Sequence, residues 1–365
     1  MKLLLISNMY PSPSQPGFGI FVKNVVDNLP LYGIEIPYKA IITGKKRTIW
    51  RKLIAYTRLY SKIIWYYLFK KYDGLYIHFP NQVSPLLLLL RKIKKETLIL
   101  NLHGSDLLYK QHGLSQKLGH YCELLIRESE LIIVPSNYFK TIMQNRQLCD
   151  ASKILISPSG GIDNKIFYPT HTFSFNNNTL NIGYVGRLEE DKGIMIFLIC
   201  LQKLIQYQND SKIIIKAIIV GYGSMQQEIE KFISKFNLKD NVELISGIQQ
   251  NRLREIYSKI DVLIFPSKNE SLGLVGIEAL ACGTPVIGSN IGGIPSYLKD
   301  EYNGYLVPVG DVDALCNAII KFAKLTYSQR KEMRENSLKT AQRYYRDNVI
   351  KELAGKIINT NTNTN

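Results

Sequence analysis

The sequence predicts an α/β chain made of two Rossmann-like, doubly wound parallel-sheet domains facing a cleft. Three observations carry that reading. Short apolar runs alternate with helical lengths along nearly the whole chain. These runs are apolar on successive residues rather than on every second one, as in strands covered on both faces. Near the middle, FYPTHTFSFNNNTL breaks the alternation with Asn, Thr and Pro and no helical period, and 365 residues make about two domains of ~100–200 each.

In chain order, the strand-like runs of the first half are Leu3–Ser7, Gly74–Phe79, Thr97–His103, Leu131–Val134 and Lys153–Ser157. Those of the second are Leu180–Val185, Lys212–Val220, Val242–Ser246, Val262–Phe265, Pro285–Gly288 and Gly304–Val307. Repeated β/α units of this kind form open sheets wound on both faces. LIIVPS at Leu131–Ser136 is echoed by VLIFPS at Val262–Ser267, a faint sign of two similar domains. The predicted organisation is a first domain over 1–166, a linker over 167–177 and a second domain over 178–340. The polar repeat NTNTNTN, 359–365, reads as a disordered tail.

Composition narrows the class. With 45% hydrophobic and 21% charged residues the chain can bury a core, which excludes disorder, collagen and disulfide-stapled folds. The five cysteines, Cys122, Cys149, Cys200, Cys282 and Cys316, include no C-x-x-C pair, a pattern that suits a reducing cytosol and thiols packed as small apolar residues. The opening run Leu3–Ile6 is too short for a signal peptide and reads as a buried first strand. No window reaches the ~20 apolar residues of a spanning helix. The expected location is cytoplasmic.

Charge is uneven. Through residue 175 there are 23 Lys+Arg against 10 Asp+Glu; beyond it the counts are 23 and 20. From Lys39 to Tyr72 ten basic residues occur without an acid, interleaved with Trp50, Tyr56, Tyr60, Trp65, Tyr66, Tyr67 and Phe69. A helix of that kind can rest on an anionic membrane surface, each nearby cation contributing ~1 kcal/mol. It can also be a solvated helix with its aromatics in the core. Nucleic acid is not the expected partner, because no RNP, zinc-finger or helix-turn-helix motif accompanies the segment.

Open α/β sheets bind ligands beyond the carboxyl ends of their strands. After Val185 comes GRLEEDKG, where Arg187 and Lys192 stand between strand and helix and suit a diphosphate; two surface cations beside three acids is the alternative. In VGYGS, Gly221 and Gly223 hint at a dinucleotide fingerprint, but its third glycine would fall on Gln226, so a tight turn is the better reading. PSKNESLGLVGIEALACGTPVIGSNIGGIP holds Glu270 and Glu278 with seven residues between them, Glu278 two turns into the following helix; helix capping plus a buried ion pair is the alternative. Backbone N–H groups of Ser271, Leu272, Gly273 and Leu274 can face an anion, and Glu278 can accept from a ribose diol. The one D-x-D pair, Asp311 and Asp313, precedes a helical run and reads as a helix cap rather than a metal site. His78, His103, His112, His120 and His171 show no zinc spacing.

Together, GRLEEDKG, VGYGS and the E-x7-E segment, in this order, resemble glycosyltransferase family 4, the retaining nucleotide-sugar enzymes of the GT-B fold. PSPSQPGFGIFV, LHGSD, IIVPSNYFK and PSGGIDNKIFYP resemble the family's N-terminal motifs more loosely. The resemblance implies that Arg187 and Lys192 hold the donor diphosphate, that Glu278 binds the ribose and that Glu270 contacts the transferred sugar. It implies that Ile248 lies where the base is met through backbone and that Gly17 and Gly19 let a loop approach the diphosphate. His103 would stand by the sugar and acceptor hydroxyl, with Asp106 nearby. The first domain would then bind acceptor and the second donor, with a last helix, 341–358, crossing back to the first.

Ser271 and Leu272 depart from the family's usual small residue and aromatic, which leaves donor identity open. The implied activity is transfer of a sugar from a nucleoside-diphosphate sugar to a saccharide hydroxyl, without metal or other cofactor. The basic first half favours a lipid-linked acceptor and a peripheral place on the cytoplasmic face of the membrane. A non-catalytic GT-B partner subunit and a sugar-nucleotide epimerase or hydrolase are the alternatives.

Overall fold

The computed structural model describes residues 1–365 except 16, 105, 110–111, 170–177, 212 and 363–365. Contacts divide the chain into two units, Met1–Gly161 with Arg346–Asn365, and Ile162–Tyr345. The first unit runs β1 (Lys2–Tyr10), α1 (Ile20–Asn28), β2 (Glu35–Thr43), α2 (Ile49–Phe69), β3 (Gly74–His78), α3 (Ser84–Leu90), β4 (Leu98–Asn101), α4 (Gly113–Arg127), β5 (Leu131–Val134), α5 (Asn137–Asn145) and β6 (Ile154–Ile156). Its sheet is parallel, in the order β2-β1-β3-β4-β5-β6.

β1 shows why the runs are continuous. Leu3 and Leu5 enter one apolar cluster and Leu4 and Ile6 another, one on each face, and all four are fully buried. The first cluster includes Val22, Val25 and Leu29; the second includes Leu59, Ile63 and Tyr67 of α2, spaced one helical turn apart. α2 begins at Thr48, whose Oγ1 accepts from the Arg51 N–H. Its tyrosines turn inward, Tyr67 buried and Tyr56, Tyr60 and Tyr66 packed on the core, while Trp50, Trp65 and Phe69 stay exposed among the cations.

β2 has no counterpart among the predicted runs. Pro37 and Lys39 interrupt its apolar residues, and the strand sits at the sheet edge, paired only with β1, where a missing N–H is tolerated.

The second unit runs β7 (Thr179–Val185), α6 (Ile194–Ser211), β8 (Ile214–Gly221), α7 (Gln226–Lys235), β9 (Val242–Ser246), α8 (Leu253–Lys259), β10 (Val262–Phe265), α9 (Leu274–Ala281), β11 (Val286–Ser289), β12 (Gly304–Val307), α10 (Val312–Ala323) and α11 (Tyr327–Ala341). This sheet is also parallel, in the order β12-β11-β10-β7-β8-β9. Strand order reverses between β7 and β10 here, and between β1 and β3 in the first unit. Ligand crevices form at such points.

Three predicted boundaries differ from these. The first unit ends at Gly161 rather than 166, because Ile162 and Phe167 are buried in the second unit's core. Most of the expected linker, 170–177, lies outside the described residues. The return helix, α12 (Arg346–Thr362), starts later than 341 and seats Ile350, Leu353, Ala354 and Ile357 against the α1 side of the first sheet. It also carries 359–362, expected to be disordered, because an anchored helix propagates at little cost and the Thr360 hydroxyl donates to the Lys356 carbonyl at 2.8 Å. Among the described residues no helix is long and apolar enough to cross a membrane. All five thiols are free, and four are buried.

Candidate active site

At the switch point of the second unit, the loop after β7 is pinned to the end of β10. Gly193 adopts φ +71°, and a Cβ there would stand 1.9 Å from the Pro266 carbonyl oxygen. The Lys268 N–H donates to the Asp191 carbonyl at 2.9 Å. This close approach delivers Lys192 to Glu270, 78 residues away in sequence, and their Nζ and Oε2 atoms pair at 2.8 Å. Lys192 Nζ also donates to the Asn269 carbonyl at 3.1 Å. Arg187 is open to solvent, with a guanidinium nitrogen 3.8 Å from Asp191 Oδ2. The Tyr184 hydroxyl stands 3.0 Å from the Arg187 carbonyl oxygen and braces the loop from within.

Glu270 is held from behind. The Gly293 N–H donates to its carbonyl at 3.1 Å, and a Cβ on Gly292 would meet that oxygen at 1.8 Å. Glu270 Oε1 accepts the Ser271 N–H at 3.1 Å, so that donor is already engaged. The N–H groups of Leu272, Gly273 and Leu274 take no acceptor among the described residues. Leu272, at the position where an aromatic was expected, buries its side chain in the core and offers only backbone. Gly273 needs its φ of +87°, and a Cβ there would collide with Phe265 and the Tyr297 hydroxyl.

Glu278 is buried within α9. It accepts from Gln250 Nε2 and from the Tyr257 hydroxyl, each at 3.1 Å. Burial pushes its carboxyl up to about 7, against these two hydrogen bonds. Gln250 and Tyr257 were not among the predicted site residues; both precede the motif, and Tyr257 is brought in by the packing of α8 on α9 and Gln250 by the short turn, Gln250–Arg252, that leads into α8. Ile248, just after Gly247, is half-buried against the same core. Gly221 and Gly223 serve packing, since a Cβ on either would lie within 2.2 Å of a carbonyl oxygen of the β7 loop. Asp311 caps α10 by accepting the Ala314 N–H at 2.8 Å, and Asp313 pairs with Lys203 at 2.6 Å. Among the described residues no three His, Cys, Asp or Glu side chains gather around a metal-sized space.

His103 and Asp106 belong to the first unit. The His103 N–H donates to Asp106 Oδ2 at 2.8 Å, and burial raises that carboxyl to about 7. Burial lowers His103 to about 3, so its imidazole is neutral at pH 7 and can exchange hydrogen bonds without carrying charge. A second imidazole, unassigned from sequence, faces it: His78 Nδ1 lies 2.9 Å from His103 Nε2, with the rings stacked. Phe79, next to His78, adopts an unusual φ of +58° and stacks on His103 at 4.4 Å. Gly19, φ +72°, abuts β1, where a Cβ would lie 2.7 Å from the Met9 carbonyl; Gly17 has open space around it.

Two parallel six-stranded sheets with flanking helices are the architecture of the GT-B glycosyltransferases, and this chain has that fold. Residues 172–340 match the family described as Glycosyl transferases group 1. An uncharacterised glycosyltransferase of Methanocaldococcus jannaschii is 29% identical over 170 residues, 46% of this chain and 42% of the relative. Sucrose-phosphate synthase of Thermosynechococcus elongatus superposes with TM-score 0.79 at 19% identity over the full length of both chains. HepE of Anabaena, in complex with UDP, superposes with TM-score 0.76 at 19% identity, covering 98% of this chain and 100% of HepE. The matched region spans 42–64% of the length of the first curated relatives.

Proposed function

We propose that the chain is a retaining glycosyltransferase of family 4 that moves a sugar from a nucleoside-diphosphate sugar to a hydroxyl of a lipid-linked saccharide at a membrane surface. The observation that carries the reading is the Lys192–Glu270 pair at the switch point, beside the open N–H groups of Leu272–Leu274 and the buried carboxylate of Glu278. HepE, which shares the fold, binds UDP, and that supports a nucleotide donor.

Glu278, held by Gln250 and Tyr257, accepts the ribose hydroxyls, with Ile248 against the base. Glu270 contacts the sugar. Arg187, Lys192 and the backbone N–H groups stabilise the charge that grows on the leaving diphosphate, so cations of the protein replace a metal ion. The bond from the anomeric carbon to the diphosphate oxygen breaks. The acceptor oxygen bonds to that carbon from the same face, and its proton passes to the departing phosphate. Neutral His103, positioned by Asp106, hydrogen-bonds in the first unit on the acceptor side. The basic, aromatic α2 rests on the membrane. The activity belongs to the biosynthesis of cell-surface polysaccharide or glycolipid.

A thermal-shift screen of UDP-, GDP- and ADP-sugars tests the donor reading, because a ligand that binds only the folded chain raises its melting point by mass action. One nucleotide class should stabilise the wild type, and Glu278→Ala should lose that shift. If no nucleotide-sugar shifts the melting point, the donor site is wrong. Release of free sugar, or a changed sugar without acceptor, would point instead to a hydrolase or an epimerase.

A further inference from the structure

The first unit has a groove of about 610 Å³ that the donor chemistry does not use. Its floor is made by two loops at the carboxyl ends of β1 and β2. Ser12 and Gln15 exchange backbone hydrogen bonds at 3.3 and 3.0 Å, and Gln15 Oε1 accepts the Lys45 N–H at 2.6 Å. Gly44, φ +65°, lets the second loop press on the first, since a Cβ there would meet Ser12 Oγ at 2.7 Å. Arg51 and Arg58 of α2 form the wall, two helical turns apart on one face, and Lys45, Lys46 and Arg47 complete the rim. Among the described residues none of these five cations forms an ion pair, and no carboxylate lines the groove.

The chemistry of the groove selects its ligand. Five uncompensated cations beside serine and threonine hydroxyls call for a compact anion of high charge, and guanidinium forks match phosphate oxygens in pairs. Among the described residues no aromatic ring lines it, so none there stacks a base as single-stranded nucleic acid requires. The same helix also presents Trp50, Leu53 and Ile54 to solvent, each at least half exposed, and Ile54 reaches the groove itself. Charge alone does not require that apolar stripe; a ligand with a phosphoryl head and a hydrocarbon body does.

We propose that this groove binds the phosphomonoester or diphosphate head of a membrane lipid, and so seats the phosphoryl group of a lipid-linked acceptor beside α2. This rests on the reading of the first unit as the acceptor-binding one and gives its acceptor a chemical class. General attraction to an anionic surface depends on charge density. The groove adds a preference for the dianionic phosphoryl head over other anions of equal charge.

The test uses the full chain and sedimentation with phosphatidylcholine vesicles containing either phosphatidic acid, as the phosphomonoester probe, or phosphatidylserine, matched in surface charge. Wild type should bind the phosphatidic acid vesicles at least ~10-fold more tightly, the scale of one hydrogen bond to a charged group. Arg58→Gln should remove that preference. Arg58→Lys, which keeps the charge and loses the fork, should retain phosphatidylserine binding without restoring it. Lys62→Gln, one turn along α2 and outside the groove, should weaken both vesicles alike. Equal binding of wild type to both, or loss of the preference in Lys62→Gln, overturns the groove. Inorganic pyrophosphate that binds as tightly as the vesicles and displaces them overturns the lipid source in favour of a free phosphate. The nucleotide-sugar melting shift is read on the same samples. A retained shift without vesicle preference refutes the groove alone, and an absent shift in wild type refutes the donor reading alone.

Discussion

Glu278→Gln separates charge from shape at the centre of the proposed donor site. The carboxyl is buried, and at about 7 it is held well above the ordinary 4.5. Between those values the folded chain keeps a proton that the unfolded chain has released, so stability falls as pH rises through that window and is lowest above 7. The difference in proton affinity corresponds to about 3 kcal/mol. Glutamine keeps the volume and the acceptor for Tyr257, and exposed Gln250 can turn its amide to receive the new N–H. The variant should therefore be as stable as wild type near pH 4.5 and more stable by up to about 3 kcal/mol at pH 8. Urea denaturation of both proteins at several pH values measures this. Asp106, also raised to about 7 by burial, titrates in the same window, and its contribution cancels in the difference. Ligand binding should show the opposite slope. A ribose diol donates to the ionised carboxylate, so nucleotide-sugar affinity should rise through pH 7 in wild type and stay level in the variant. Parallel stability curves for the two proteins would falsify the idea that Glu278 holds a proton in the folded chain.

Arg187→Ala and Lys192→Ala should each lower turnover by ~10²-fold or more, the scale of one charge-stabilising donor. Arg187→Ala should melt normally because its side chain is open to solvent, whereas Lys192→Ala leaves the largely buried Glu270 without its partner and should melt lower. Near-wild-type transfer by either variant removes that residue from the leaving-group site. Gly292→Ala should displace Glu270, whose carbonyl a Cβ would meet at 1.8 Å, costing about 1–3 kcal/mol and most of the activity; unchanged melting and turnover would show that the loop relaxes freely. Transfer should persist in excess EDTA. Loss with chelator and recovery with Mg²⁺ would require a metal site in place of the cationic clamp.

How far the sequence alone reached can be read from particular residues. Leu3–Ile6 announced a buried strand because every side chain in it is apolar, and a strand with both faces covered needs nothing else. The helix-capping role of Asp311 was likewise local. The cations Arg187 and Lys192 and the carboxylates Glu270 and Glu278 marked the loops after β7 and β10, and there Gly193 and Gly273 adopt backbone that other residues resist. β2 escaped because Pro37 and Lys39 disguise an edge strand, and edge status depends on which strands pair, not on composition. α2 was legible as basic and aromatic, yet its sequence did not assign Tyr67 to the core and Trp65 to solvent; the position of the sheet beneath it did. The same holds for the site. His78 meets His103 because β3 and β4 lie side by side with His78 opposite Asn101. Lys192 meets Glu270 because β7 and β10 are neighbours across the switch point, and Glu278 meets Tyr257 because α8 packs on α9. Local chemistry dictates strands, caps and tight turns within a few residues of where they are encoded. Pairs separated by tens of residues, and the burial that moves the proton affinities of Glu278 and His103, exist only once the sheets have chosen their neighbours.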